Sequence, residues 1–159
     1  MRLILAMLLA CVASACTSNT YLVHEREPSP YRDKGRVFVT NPDMSKEYKI
    51  LSDSNIYTLV GSSDSKTKLT LHPLEKRLSC GNPMLGSALS LGLIPVSVSD
   101  KYVFQYEISS GEQKYLYTYD VPVTTRYSLW EWIFKPFAKG EEGLIEAGLP
   151  ISTLEIHEL

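Results

Sequence analysis

The clearest fold signal lies at residues 101–123, which read KYVFQYEISSGEQKYLYTYDVPV. Apolar side chains at every second position are typical of a β-strand with one buried face. A polar turn at 109–113 separates two such runs, so the stretch predicts an antiparallel hairpin with an aromatic face on each arm. The alternating residues are Tyr102, Phe104, Tyr106 and Ile108 on the first arm, and Tyr115, Tyr117, Tyr119, Val121 and Val123 on the second.

The aromatic face of this hairpin has two interpretations. Aromatic residues at a period of two most often belong to the core of a sheet, and we favour that interpretation. The alternative is a stacking platform on which a sugar or a base would lie. That alternative predicts a concave pocket lined by Tyr106 and Tyr117.

Shorter elements on both sides of the hairpin complete the domain. Alternation and β-forming residues predict strands at 36–40, 56–60 and 66–72, and a last strand at 151–156. The sequence therefore predicts an α+β fold, with a single small globular domain over 36–159. We expect a mostly antiparallel sheet with one or two short helices packed on it.

The predicted helices begin at local capping signals. Asn41, followed by a proline, is a good N-cap, and Asn55 can end that helix in the left-handed conformation. Ser128 and Glu131 have the spacing of a capping box, and the helix they open must end before the next proline. Residues 144–149 favour a further turn or two of helix.

Two apolar segments are compatible with either burial or contact with another molecule. Residues 84–98 are uncharged and are interrupted by glycine and proline, and residues 129–137 contain both tryptophans of the chain. We favour a buried strand or hairpin for the first segment and a buried helix for the second. The alternative is contact with a membrane or a partner, because tryptophan prefers the headgroup region. The candidate contact residues are Leu91, Leu93, Ile94, Trp130, Trp132, Phe134 and Phe137.

The beginning of the chain has the layout of an export signal. Arg2 is a short positive region, residues 3–12 are apolar, and residues 13–15 form a small-residue cleavage context. The apolar run is about half the length of a membrane-spanning helix, so a retained transmembrane anchor is not expected. Cleavage after Ala15 would leave either a soluble protein that begins at Cys16 or a lipoprotein acylated on that cysteine.

Residues 13–16, Ala-Ser-Ala-Cys, resemble the lipobox of bacterial lipoproteins, with alanine where the family usually carries leucine. A second match ends at Cys11 and would leave a very short apolar region. The resemblance implies a signal peptide over 1–15 and several acyl chains on Cys16, which together anchor stably. In enterobacterial members an aspartate at the next position tends to mean inner-membrane retention. Thr17 therefore implies an outer-membrane lipoprotein facing the periplasm, with the outer leaflet of the inner membrane as the alternative.

Charge and cysteine content narrow the classes of partner. The formal net charge is −2, which offers no electrostatic footprint for nucleic acid. If Cys11 leaves with the signal and Cys16 is acylated, Cys80 has no partner within the chain. We favour a small buried side chain for Cys80, and the alternative is an exposed thiol that pairs with another protein.

The segment between the anchor and the domain has the composition of a linker. Residues 16–35 mix charges with Pro28, Pro30 and Gly35, and they contain little periodic apolar sequence. The sequence therefore predicts a lipidated cysteine followed by a flexible tether.

Motifs for catalysis and metal binding are missing from the sequence. The 3 histidines are scattered singly, and no HxxxH, CxxC, GxSxG, phosphate loop or dinucleotide fingerprint occurs. We therefore predict no catalytic residue, no cofactor and no metal site, and expect that the protein is not an enzyme.

The order of the elements supports a second resemblance. Residues 91–95 read LGLIP, the tyrosine-rich hairpin follows, and the aromatic stretch 130–137 comes next. This order is similar to that of small uncharacterised proteobacterial envelope lipoproteins, over about residues 36–137. The resemblance implies an envelope location and no site residues.

Two functions follow from these observations. We favour a lipid-anchored cell-envelope protein of non-enzymatic type, attached through Cys16, that binds or positions an envelope partner. The alternative is a periplasmic ligand-binding module that uses its tyrosine-rich strands to hold a glycan or a lipid.

Overall fold

The computed structural model describes four ranges of the 159-residue chain. These ranges are 17–23, 34–61, 65–78 and 92–159. Several sequence predictions fall outside them and have no structural counterpart here. They concern the signal peptide at 1–15, Cys11, Cys16, Cys80 and Leu91.

Eight strands of the described residues form one curled, mixed and mostly antiparallel sheet. The strands are β1 (Ser18–Leu22), β2 (Arg36–Val39), β3 (Thr58–Leu59), β4 (Thr67–Leu71), β5 (Glu75–Leu78), β6 (Val96–Ser110), β7 (Gln113–Tyr127) and β8 (Thr153–Glu158). Their order is β1-β7-β6-β4-β2-β3, with β5 paired to β6 and β8 paired to β7. The parallel pairs are β2–β3 and β2–β4.

Three short α-helices accompany the sheet in the described ranges. They are α1 (Ser45–Ser54), α2 (Glu131–Phe134) and α3 (Glu141–Gly148). One 3-10 turn, Lys135–Phe137, follows α2, and another, Leu149–Ile151, follows α3. The predicted fold class is confirmed: the chain folds as a single α+β domain, with one α-helix more than expected.

The central hairpin is confirmed and is longer than predicted. Strands β6 and β7 have 15 residues each and pair from Val96↔Tyr127 to Ser110↔Gln113. Gly111 has a φ of 66°, a left-handed value that glycine adopts at little cost. Each arm pairs with two short strands along its outer edge, β5 and β4 on β6, and β1 and β8 on β7.

The hydrophobic core lies between the hairpin and two helices. Tyr106 and Tyr119 are almost completely buried, and the ring of Tyr106 stacks on that of Tyr119 at 5.9 Å between centroids. Helix α1 contributes Ile50 and Leu51 to this core, and α3 contributes Ile145. The core interpretation of the hairpin's aromatic face is therefore confirmed for these tyrosines.

Helix α1 begins later than its capping signals predicted. Met44 holds the N-cap position without a side-chain hydrogen bond, whereas Asn41 uses its amide on strand β4. The Asn41 Nδ2 donates to the Leu71 carbonyl at 2.9 Å, and its Oδ1 accepts from the Leu71 N–H at 2.9 Å. The Asn41 side-chain amide thus pairs with Leu71 as the backbone of a neighbouring strand would. It is therefore not available to cap the helix. Asn55 does end the helix in the left-handed conformation, with φ 58°, as predicted.

The predicted capping box at Ser128 and Glu131 is wrong. Helix α2 begins only at Glu131, and the buried Ser128 hydroxyl has no hydrogen-bond partner among the described residues. Glu131 turns its carboxylate away from the helix start and toward strand β1. The contact with a strand distant in sequence replaces the local cap.

The predicted flexible tether is wrong for residues 18–22. They form strand β1, which pairs with β7 from Ser18↔Tyr127 to Leu22↔Val123. The outer edge of β7 offers unpaired backbone groups there, and β1 satisfies them. Residues 24–33 of the predicted tether lie outside the described ranges.

Candidate functional site

Two segments that contact each other, 92–94 and 129–137, carry a cluster of exposed large apolar side chains. Trp132 is 65% exposed and Phe137 is 84% exposed, so the predicted burial of the 129–137 helix is wrong. Core positions on the sheet are filled from α1 and α3, and the buried core cluster contains no residue of 129–137. We call this cluster the apolar ridge; it comprises Leu93, Ile94, Trp130, Trp132, Ile133, Phe134 and Phe137.

Two segments far apart in sequence meet in the apolar ridge. The indole Nε1 of Trp130 donates to the Leu93 carbonyl at 3.1 Å, and the Leu129 N–H donates to the Gly92 carbonyl at 2.8 Å. Leu93 and Ile94 are both more than half exposed, so burial is also the wrong prediction for this part of 84–98. The structure therefore joins the two segments at Gly92–Leu93 and Leu129–Trp130, whereas Leu91 lies outside the described ranges.

Strand β1 holds the base of the apolar ridge. Asn19 is buried, and its Nδ2 donates to the Glu131 carbonyl oxygen at 2.7 Å and to the Glu131 Oε2 at 2.8 Å. The Tyr21 hydroxyl donates to the same Oε2 at 2.6 Å. Two donors thus bind the Oε2 of Glu131, a residue that is only 5% exposed, and they fix α2 against β1.

The first described residue also contacts this region. The Thr17 hydroxyl donates to the Ser128 carbonyl at 2.8 Å, and the Ser128 N–H donates to the Thr17 carbonyl at 3.3 Å. Cys16 precedes Thr17 directly in the sequence. The predicted lipidation site is therefore bonded to a residue that lies next to the base of the ridge.

Charges of both signs lie in and beside the ridge segment, because the two acidic residues at the start of α3 follow it directly and form ion pairs with α1. Between residues 129 and 140, Glu131 is the single acidic residue, and it is buried and hydrogen-bonded, whereas Lys135 and Lys139 are exposed. Burial raises the pKa of Tyr21, and the hydrogen bond to Glu131 adds to the rise. Tyr21 therefore remains a hydrogen-bond donor at physiological pH.

Tyr106, one of the two tyrosines that the predicted concave pocket requires, lies inside the core. Tyr106 is fully buried, with its hydroxyl 3.1 Å from that of Tyr57 and its ring stacked on Tyr117 at 5.2 Å between centroids. Its hydroxyl also donates to that of Tyr119 at 3.4 Å. These groups satisfy one another inside the core, so Tyr106 offers no surface to a glycan or a lipid.

Two depressions on the surface of the described ranges lie away from the tyrosines of the hairpin. One of about 140 Å³ lies between Leu22, Pro122 and Gly148. A larger, open one of about 570 Å³ lies beside α1 and α3, where Lys46 pairs with Glu141 at 2.7 Å. Its second ion pair joins Lys49 to Glu142 at 2.8 Å. These two ion pairs join α1 to α3 and therefore have a structural role.

The described part of the chain contains no cluster of metal-binding side chains. No group of three or more His, Cys, Asp or Glu residues there could hold a metal ion. None of the helices in the described ranges has the length and hydropathy needed to cross a bilayer. The apolar ridge and its attachment to β1 are therefore the features from which a function can be argued.

Sequence reasoning missed two parts of this site. Ile133, about half exposed, belongs to the apolar ridge but was not among the predicted contact residues. Asn19 and Tyr21 lie in a stretch whose composition indicated a linker, and no local signal marks them as partners of Glu131. Only the pairing of β1 with β7 brings them to α2.

Comparison of the sequence with models of known protein families and with curated proteins finds no significant match.

Proposed function

We propose that this protein is a lipid-anchored cell-envelope protein of non-enzymatic type, which holds its domain at the membrane surface and binds or positions an envelope partner there. One observation carries the proposal. Strand β1 begins at Ser18, two residues after Cys16, and Thr17 is hydrogen-bonded to Ser128. An acyl anchor on Cys16 would therefore attach directly to the folded domain.

The direct attachment changes what the anchor does. A long tether would let the domain sample many orientations, whereas a strand fixed in the sheet removes most of that freedom. Consecutive Cα atoms are about 3.8 Å apart, so acyl chains on Cys16 would begin within a residue of the domain surface. The end of the sheet that contains Ser18 and Tyr127 would then face the bilayer.

The opposite end of the hairpin would face away from the membrane. Strand β7 runs 15 residues from Gln113 to Tyr127. At about 3.3 Å per residue this corresponds to roughly 45 Å, reduced by the curl of the sheet. The tip at Gly111 would therefore be available to an envelope partner.

The anchor is tested by metabolic labelling of the full-length protein with an alkyne fatty acid in a Gram-negative host. We expect the wild-type protein to incorporate label and to fractionate with membranes. The Cys16→Ser variant should lose the label. The matched variant Cys11→Ser should keep it, because Cys11 belongs to the segment that is removed. Label retained in Cys16→Ser would contradict the proposal.

The partner is tested separately by photocrosslinking in living cells. Crosslinkable residues are placed at two exposed positions away from the apolar ridge, Glu112 at the hairpin tip and His157 on the edge strand β8. A discrete protein adduct at either position, identified by mass spectrometry, supports a partner. If neither position gives an adduct in cells that express the labelled lipoprotein, the partner-binding part of the proposal is wrong.

A further inference from the structure

We infer that the apolar ridge inserts into the headgroup region of a phospholipid bilayer and forms a second membrane contact beside the acyl anchor. The inference rests on the proposed lipidation of Cys16. It adds the surface that touches the membrane and the class of molecule that this surface binds.

Position is the first argument. Thr17 is hydrogen-bonded to Ser128, and the ridge residue Trp130 follows two positions later. Asn19 and Glu131 lock the same two segments together from inside the domain. Thr17, where the preceding chain enters the domain, is therefore held rigidly against the base of the ridge. A bilayer reached by acyl chains at Cys16 is within reach of the ridge as well.

Side-chain chemistry is the second argument. Residues 130–137 expose two tryptophans and two phenylalanines, and these aromatic side chains are suited to the interfacial region of a membrane. The polar N–H of Trp130 is already bonded to the Leu93 carbonyl. Transfer of this indole out of water therefore costs less than transfer of one whose N–H is bonded to solvent.

Charge is the third argument. The acidic group of the ridge segment, on Glu131, is buried and paired with Asn19 and Tyr21, so insertion does not carry an exposed carboxylate toward the headgroups. Lys135 and Lys139 are exposed next to the ridge. Cations in that position are attracted to anionic phospholipid headgroups and keep their charge in the polar layer.

The extent of the ridge limits the depth of insertion. Helix α2 is a single turn of 4 residues and is followed by the 3-10 turn Lys135–Phe137. Such a segment matches the shallow boundary between headgroups and acyl chains, where amphipathic elements lie in the plane of the membrane. Phe137, the most exposed of the large apolar side chains in the described ranges, would lose the largest fraction of water contact on insertion.

The two tryptophans make a direct test possible. Trp130 and Trp132 are the only tryptophans in the chain, so tryptophan emission, excited at a wavelength that tyrosine does not absorb, reports on the ridge alone. The full lipoprotein is purified and reconstituted into vesicles of phosphatidylethanolamine and phosphatidylglycerol, with or without bromine on the acyl chains. We expect a blue shift of the emission relative to the protein in denaturant, loss of intensity with brominated lipid, and weak quenching by acrylamide.

A relocated tryptophan provides the matched control. The triple variant Trp130→Phe, Trp132→Phe, Glu112→Trp carries its one indole at the exposed hairpin tip. We expect acrylamide to quench this indole and brominated lipid to leave it unchanged. The same samples are analysed by mass spectrometry of the N-terminal peptide, which determines independently whether Cys16 is acylated.

The possible results separate the inference from the proposed function. An acylated protein whose ridge tryptophans are quenched by acrylamide but not by brominated lipid overturns the inference and leaves the anchor intact. Tryptophans protected from both quenchers would indicate a cover within the chain, such as residues 79–91, and also overturn it. A protein that is not acylated but loses emission with brominated lipid supports the ridge contact and overturns the anchor.

Discussion

At the scale of single residues, Glu131 connects the start of the described chain to helix α2. Its carboxylate is buried and accepts hydrogen bonds from Asn19 and Tyr21. A buried carboxylate without donors is costly, so these two residues of β1 are required for the position of α2. The polar residues of an apparent linker thereby become part of the domain interior.

Removal of the Asn19 amide should destabilise the domain. Asn19→Ala takes away one donor to the Glu131 carboxylate and one to its backbone carbonyl, and we expect a loss of about 1–3 kcal/mol in the free energy of unfolding. Urea denaturation followed by circular dichroism measures it. The exposed neighbour provides the control, because Ser18→Ala should leave the midpoint unchanged. Equal midpoints for the two variants would refute the role of Asn19.

A glycine at the end of α3 is required by close packing. A Cβ at Gly148 would overlap the Val121 Cγ1 and approach the Leu22 Cδ1 at 3.0 Å. The overpacking in Gly148→Ala should cost about 1–3 kcal/mol of stability. Thermal denaturation compares it with Gly143→Ala in the same helix, where a new Cβ would make an ordinary van der Waals contact with the Lys139 Cβ at 3.9 Å. The control should be neutral or slightly stabilising, and a Gly148→Ala variant as stable as Gly143→Ala would contradict the packing argument.

At the scale of elements, the β6–β7 hairpin organises the sheet. Its two arms pair with four short strands, so the register of the hairpin sets the position of each of them. The loop between Ser110 and Gln113 has two residues, and of these only Gly111 has a positive φ, which is the pattern of a type II′ turn.

Replacement of the turn glycine should weaken the hairpin. A side chain at the φ of 66° is strained even though a Cβ at Gly111 meets no atom within 4 Å. We expect Gly111→Ala to lower the free energy of unfolding by about 1–2 kcal/mol, as measured by urea denaturation. Glu112→Ala, at the adjacent exposed position, should have little effect. A loss of equal size in both variants would mean that the backbone conformation of Gly111 is not the cause.

At the scale of the whole molecule, the buried tyrosines should make the domain sensitive to alkali. Burial, followed by the influence of Glu141, raises the pKa of Tyr102 to about 12, and burial is also the main cause that raises the pKa of Tyr106. The unfolded chain ionises its tyrosines near pH 10. Below that pH both states hold these protons. Above it the unfolded state binds fewer protons, so stability should fall as pH rises from about 10 to about 12.

Urea midpoints across that alkaline range test the linkage. We expect the urea midpoint of the wild-type protein to fall as the pH rises. The midpoint of Tyr106→Phe should fall less steeply, because this variant lacks the hydroxyl whose ionisation is most opposed by burial. Tyr115→Phe, a change at a half-buried position, should follow the wild-type slope. If Tyr106→Phe and the wild-type protein lose stability in parallel, buried tyrosine ionisation does not control the alkaline transition.

The whole molecule also has two distinct ends. Thr17, Ser128 and the apolar ridge lie at the end of the hairpin where β1 pairs with β7, and Gly111 marks the other end. The proposed anchor and the inferred bilayer contact both belong to the first end. This separation leaves the tip and the edge strand β8 for interactions in the aqueous compartment.

The sequence by itself determined the elements whose signals are local. Alternation gave the hairpin and its turn, and the left-handed preference of asparagine predicted the end of α1 at Asn55. These features depend on neighbouring residues, whose geometry is the same in any context. Tertiary structure decided the features that depend on contacts distant along the chain. Asn41 left its capping position because β4 offered a better partner, β1 joined the sheet because β7 had a free edge, and 129–137 remained exposed because α1 and α3 already filled the core.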